Sequence, residues 1–149
     1  MTSPVSYILV SLTLTSAIIA VTFFIAWRTL GEKPYALSWC LAMVAATVQW
    51  FVNLKMYAFR DFASYWLTVS AFAIVVITLG LRGHCQRTDS TWLPRKLWPF
   101  ALLVYLALVW ITLVWQHVGF ANAFLPGISA ATLFASAAMI VHHREQTRP

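Results

Sequence analysis

The chain has 149 residues, of which 61% are hydrophobic and only 9% carry a formal charge. A water-soluble domain of this size would have too few polar side chains to cover its surface, so the composition excludes an ordinary soluble enzyme or binding domain. The net charge of +6 does not indicate a nucleic-acid partner either, because the basic residues are scattered over separate segments and form no single patch.

Long stretches without a charged residue dominate the sequence, at positions 2–27, 34–54, 62–81 and 97–143. Each is at least as long as the roughly 20 residues that a helix needs to cross the hydrocarbon core of a membrane. The last stretch is long enough for two crossings. Polar and flexible residues predict a turn that divides it, namely Gln116, His117, Gly119 and Asn122.

These stretches predict an all-α integral membrane bundle, formed by a single domain over residues 1–149. Its five spans lie at about 7–28, 35–54, 62–81, 97–115 and 122–141. The first span is expected to remain as a helix and not to be a cleaved signal, because no basic residue precedes it and its apolar core is longer than the usual ~7–15 residues. A transmembrane β-barrel is excluded, since the runs are continuously apolar and do not alternate.

The loop charges predict an orientation. Eight of the ten basic residues fall on one side of a five-span bundle: Arg28, Lys33, Arg82, Arg87, Arg95, Lys96, Arg144 and Arg148. Because Lys and Arg favour the cytoplasmic side, we expect the N-terminus outside and the C-terminus in the cytoplasm, in the inner (plasma) membrane of a bacterium. Cys40 and Cys85 then lie toward the cytoplasm, where we expect reduced thiols and no disulfide.

Acidic residues occur only between spans or in the tail, at Glu32, Asp61, Asp89 and Glu145. No Asp, Glu, Lys or Arg lies in the middle of a span, which disfavours an ion-coupled transporter. Neither a carboxylate pair nor a Ser/His/Asp arrangement is in place for catalysis. We therefore expect that the chain is not an enzyme by itself and has no cofactor.

Histidine and cysteine residues provide a weak candidate metal site on the predicted cytoplasmic side, formed by His84, Cys85, His142 and His143. Their spacing matches no standard zinc pattern, and ordinary interfacial residues are the simpler interpretation. A haem held between two spans is excluded, because His117 lies about a bilayer thickness, ~30 Å, from the pair at 142–143.

Polar and small residues follow helical spacing in three spans, and the row on the third span is Ser64, Thr68, Ala71 and Thr78. On the second span Ser38, Ala42, Ala45, Gln49 and Asn53 share one face, and Ser129, Thr132 and Ser136 form a shorter row on the fifth. Such faces let helices approach closely in lipid, so packing is the simpler interpretation. The alternative is a small ligand pocket near the outer leaflet, with the candidate residues Gln49, Trp50, Asn53, His117, Asn122 and Pro126.

Several short runs resemble the N-terminal membrane regions of bacterial diguanylate cyclases, over nearly the whole chain. They are Ala26-Trp27-Arg28, Gly31, Ala36, Ser38-Trp39, Gln49-Trp50, Asn53-Leu54, Gly80-Leu81-Arg82, Thr112-Leu113-Val114 and His117-Val118-Gly119. The resemblance implies a membrane sensor or anchor joined to a cytoplasmic domain that makes cyclic di-GMP from two GTP molecules. The sequence contains no Gly-Gly-Asp/Glu-Glu-Phe loop, so it matches no cyclase residue.

The sequence thus leaves three hypotheses. The first is a sensor or anchor region for a cytoplasmic signalling domain, with the lipid bilayer and a second copy of the chain as partners. The second is a small accessory subunit of a larger membrane complex, and the third is a metal or quinone redox module. The mass of the detergent-solubilised protein separates the first two, and colour or bound metal would indicate the third.

Overall fold

The computed structural model describes residues 4–88, 94–115 and 118–146. Of these residues 93% are helical and none lies in a strand, which confirms the predicted all-α class. The five helices are α1 (Pro4–Thr29), α2 (Pro34–Leu54), α3 (Phe62–Arg87), α4 (Pro94–Trp110) and α5 (Val118–Gln146). A short 3₁₀ helix (Met56–Ala58) precedes α3, and a π-helical turn (Ile111–Trp115) follows α4.

Four helical segments of the described chain are long and apolar enough to cross a membrane: Pro4–Thr29, Pro34–Leu54, Phe62–Arg87 and Lys96–Trp115. Helix α5 contains a shorter apolar run, Ala123–Ala138. Several long apolar helices in one chain are typical of a multi-pass membrane protein.

Helix boundaries differ from the predicted spans most at the end of α3 and at both ends of α5, which continues to Gln146 and not to 141. Helix α3 continues to Arg87, beyond position 81, and α5 begins at Val118 instead of 122. Gly119 and Asn122 therefore lie inside α5 and not in a turn, while residues 116–117 lie outside the described part of the chain. The length of an apolar run indicates only the part of a helix that lies in lipid. Backbone hydrogen bonds can extend the helix beyond that part through polar residues.

Proline and aspartate mark where helices begin. Pro34 lies in the first turn of α2 and Pro94 begins α4. Backbone N–H groups in the first turn of a helix have no acceptor within the helix, so proline, which has no N–H, breaks no hydrogen bond there. Asp61 caps α3, because its side chain accepts a hydrogen bond from the Ser64 backbone N–H at 2.7 Å.

A tight turn joins α1 to α2. Gly31 has a φ of 74° and Glu32 a φ of 57°, so the backbone passes through the left-handed region at two consecutive residues. Glycine adopts this region without strain, which explains its use at the first position. At the second position, the Glu32 carboxylate lies 3.2 Å from the Arg28 guanidinium in an exposed ion pair.

Small residues bring α1, α2 and α3 close together. Ser38, Ala42 and Ala45 of α2 are all buried, as a packing face requires, whereas Gln49 and Asn53 of the same predicted face are half-buried. Where α2 contacts α1, the Cys40 thiol donates a hydrogen bond to the Ala20 carbonyl at 3.4 Å. Cys40 and Cys85 are both buried free thiols.

Helix α3 is central, since it contacts α2, α4 and α5. On the side of α3 that faces α4 and α5, large aliphatic residues predominate. The buried cluster there contains Ile74 of α3, Ala101, Val104 and Leu108 of α4, and Leu125 of α5. This side of the bundle is therefore held by side-chain interdigitation.

Candidate functional site

Two side-chain hydrogen bonds join α2 to α3 near opposite ends. Ser38 donates to the Gln86 carboxamide oxygen at 2.7 Å, and the Tyr65 hydroxyl donates to the Asn53 carboxamide oxygen at 2.6 Å. Ser38 and Asn53 are fifteen residues apart in the sequence, about 22 Å along a helix. Together these bonds fix the register of the two antiparallel helices.

The Asn53 contact bears on the candidate outer pocket. Asn53 is half-buried and bonded across the helix interface, and Gln49 and Trp50 are also half-buried on α2. Pro126 is exposed on α5. His117 and the Asn122 side chain lie outside the described residues, so the six-residue pocket remains a prediction, whereas Asn53 has a structural partner.

Breaking this hydrogen bond tests whether Asn53 serves packing. Tyr65→Phe and Asn53→Leu, singly and together, form a double-mutant cycle for unfolding in detergent. We expect a coupling of about 0.6–1.7 kcal/mol, which runs from the average to the largest value measured for interhelical hydrogen bonds in a membrane protein. Coupling indistinguishable from zero would contradict a packing role and favour a site kept open for a ligand.

The candidate metal site is described only in part. Cys85 is fully buried and His84 is half-buried on α3. The side chains of His142 and His143 fall outside the described part, although their backbone continues α5. Among the residues that were described, no group of three His, Cys, Asp or Glu side chains converges, and the four-residue site remains an untested prediction.

Trp39 of α2 forms an aromatic cluster at the end of the bundle that holds Arg87. Its ring centroid lies 5.5 Å from that of Phe23, 5.4 Å from that of Tyr35 and 5.3 Å from that of His84. The Arg87 guanidinium carbon lies 5.9 Å from the same ring. Such tilted and edge-on arrangements are favourable for aromatic pairs, so Trp39 ties α1, α2 and α3 together.

Two glycines of α3 face this cluster differently. At Gly83 a Cβ atom would lie only 2.5 Å from Cδ1 of Trp39, so the indole packs directly on the helix backbone. At Gly80 a Cβ atom would meet nothing within 4 Å. The Gly80 carbonyl nevertheless accepts a long hydrogen bond, 3.4 Å, from the Trp39 indole N–H.

The space beside Gly80 belongs to a cavity of about 480 Å³. Residues from α1, α2, α3 and α5 line it, including Phe23, Trp39, Gly80 and His84. From α5 it receives Ser129, Thr132, Leu133 and Ser136. Leu133 is 71% exposed, so the cavity opens on the surface that would face lipid.

The sequence indicated parts of this cavity without locating it. The row Ser129, Thr132 and Ser136 was interpreted as a packing face, but in the structure all three line the cavity. Gly80 and Gly83, three residues apart, together with an aromatic residue on a neighbouring helix, are the signal that points to it. Which aromatic residue that would be depends on helix register, which the sequence alone does not provide.

No family model matches the sequence, and neither a curated protein nor a solved structure matches it.

Proposed function

We propose that the chain is a membrane-embedded input module that transmits a conformational change to a cytoplasmic signalling output, as the membrane regions it resembles in diguanylate cyclases are thought to do. It has no catalytic activity of its own. In this proposal it spans the inner membrane of a bacterium with its N-terminus outside. One observation carries the idea: α5 lines the cavity and then continues as one helix to Gln146.

The packing of α5 supports this role. Ser136 is the last α5 residue on the cavity wall, and Gln146 lies about 15 Å farther along the helix. Leu133 and Phe134 are 71% and 77% exposed, so much of α5 lies against lipid and not against protein. A shift of α5 would leave the close contacts among α1, α2 and α3 intact, and an occupied cavity would bias α5 toward one of two positions.

Fusions to a reporter that fluoresces only in the cytoplasm test the orientation. We expect fluorescence when the reporter follows Gln146 or is inserted at position 90, because these segments carry the basic residues that favour the cytoplasm. A fusion at Arg60 should be dark. Fluorescence at Arg60 with a dark fusion at Gln146 would contradict the proposed orientation.

Signal transmission is tested by joining the full chain to a diguanylate cyclase domain and measuring cyclic di-GMP formation in membranes. Gly80→Leu places a side chain in the cavity and should change the output about threefold or more by biasing α5. Gly127→Leu is the matched control, because a Cβ at that exposed α5 position also meets nothing within 4 Å. Equal output from the original fusion and both variants would argue against a link between cavity and output.

A further inference from the structure

We infer that the cavity binds a neutral, lipophilic molecule that carries a hydroxyl group and enters from the bilayer. This inference deepens the function proposed above and rests on it for any effect on signalling. The ligand class follows from three properties of the cavity: its size and opening, the charge of its walls, and the direction of its hydrogen-bonding groups.

The size and opening suit a small membrane-soluble molecule. About 480 Å³ falls within the ~300–1,000 Å³ typical of small-molecule sites. Phe23, Val76, Ile77 and Leu81 provide apolar wall, and the opening beside Leu133 lies on the apolar outer surface. A ligand dissolved in lipid would reach the cavity without crossing water.

Wall charge excludes ionic ligands. Among the described residues that line the cavity there is no Asp, Glu, Lys or Arg. A carboxylate or an ammonium group would lose its hydration there without meeting an opposite charge among these residues, and that loss is costly in an apolar site. The head group of the ligand is therefore neutral.

Two hydroxyl groups of α5, those of Ser129 and Thr132, favour a ligand that donates a hydrogen bond. Ser129 donates its own proton to the Leu125 carbonyl at 3.0 Å, and Thr132 donates to the Ile128 carbonyl. Each hydroxyl oxygen keeps lone pairs that can accept. A quinone or ketone, which only accepts, cannot pair with them unless those helix bonds break, whereas an alcohol, phenol or quinol can donate.

His84 supplies a second polar contact. Its Nδ1 is buried and has no hydrogen-bond partner among the described residues, which is a costly state for a polar atom. The torsion that turns an imidazole about its Cβ–Cγ bond is broad, so the ring can present this nitrogen to an occupant of the cavity. A hydroxyl group both donates and accepts, and it can pair with either tautomer of the ring.

Equilibrium dialysis of radiolabelled 4-octylphenol against the full chain in lipid nanodiscs tests the inference, with empty nanodiscs to subtract partitioning. Octylbenzene is the probe without a hydroxyl, and 4-octylbenzoate is the anionic probe. We expect saturable binding of 4-octylphenol and at least about tenfold weaker binding of the other two. Gly80→Leu should reduce phenol binding about tenfold or more, while Gly127→Leu leaves it unchanged.

Two variants that keep the cavity volume probe its chemistry. Ser129→Ala and Thr132→Val remove the hydroxyl acceptors, and each should weaken phenol binding about 2- to 10-fold with no effect on octylbenzene. Melting temperatures in detergent check that every variant is folded. Equal binding of 4-octylphenol and octylbenzene would overturn the inference. So would binding of 4-octylphenol that Gly80→Leu leaves intact.

The binding assay tests the ligand class, and the cyclic di-GMP assay tests the proposed function, so each claim can be contradicted without the other. Saturable phenol binding with no change of output in any fusion would overturn the proposed function and retain the ligand site. An output that responds to Gly80→Leu without phenol binding would retain the proposed function and overturn the ligand class.

Discussion

Replacing Gly83 by alanine is expected to lower the free energy of unfolding by about 1–3 kcal/mol, the usual cost of forcing a methyl group into a packed interface. The added Cβ would lie 2.5 Å from Cδ1 of the Trp39 indole. That indole cannot retreat freely, because Phe23, Tyr35 and His84 surround it at centroid distances of 5.3–5.5 Å. The variant must therefore separate α2 from α3 or displace the whole aromatic cluster.

Gly80→Ala is the control for this prediction, since it makes the same change one turn earlier on the same helix. Its Cβ enters open space, so only the helix preference of alanine over glycine acts, which stabilises by about 0.5–1 kcal/mol. The two substitutions should shift the detergent melting temperature in opposite directions. A Gly83→Ala protein as stable as the parent would show that Trp39 does not pack on α3 as described.

Leu108→Ala is expected to cost about 2 kcal/mol, measured by unfolding in detergent. Leu108 is fully buried between α3, α4 and α5. Large-to-small changes in soluble cores cost about 2–5 kcal/mol, and we expect the lower end because lipid removes most of the hydrophobic transfer contribution and leaves lost packing.

Leu106→Ala, on the opposite face of α4, controls for helix preference. Leu106 is 57% exposed, so its truncation should change stability by less than about 0.5 kcal/mol. Equal effects of the two substitutions would mean that α4 does not present Leu108 to the core. The pair thus tests the rotation of α4 about its own axis.

The all-α class and the approximate positions of the spans were predictable because lipid demands long apolar helices, and uncharged length is visible in sequence. The buried face of Ser38, Ala42 and Ala45 was also predictable, since small residues at helical spacing are a sign of close packing. The ends of the helices were harder to predict from the sequence. Gly119 and Asn122 have the composition of a turn, but they lie in α5.

The cavity was beyond prediction for a different reason. It depends on how far α5 stands from α3, and on a rotation that brings Ser129 and Thr132 opposite Gly80. No local pattern encodes the distance between two helices that are not neighbours in the sequence. In the same way, Asn53 was identified as a polar residue that needs a partner, but its pairing with Tyr65 requires the register of α2 on α3.

The central position of α3 has a consequence for how the bundle is assembled during synthesis. The contacts between α1 and α2, α2 and α3, and α3 and α4 each join helices that are neighbours in the sequence, and the contact of α5 with α3 skips only one helix. Local contacts of this kind form without closing long loops. The first three helices can therefore dock pairwise as they leave the ribosome, and α5 arrives last on a surface that α3 and α4 have already completed.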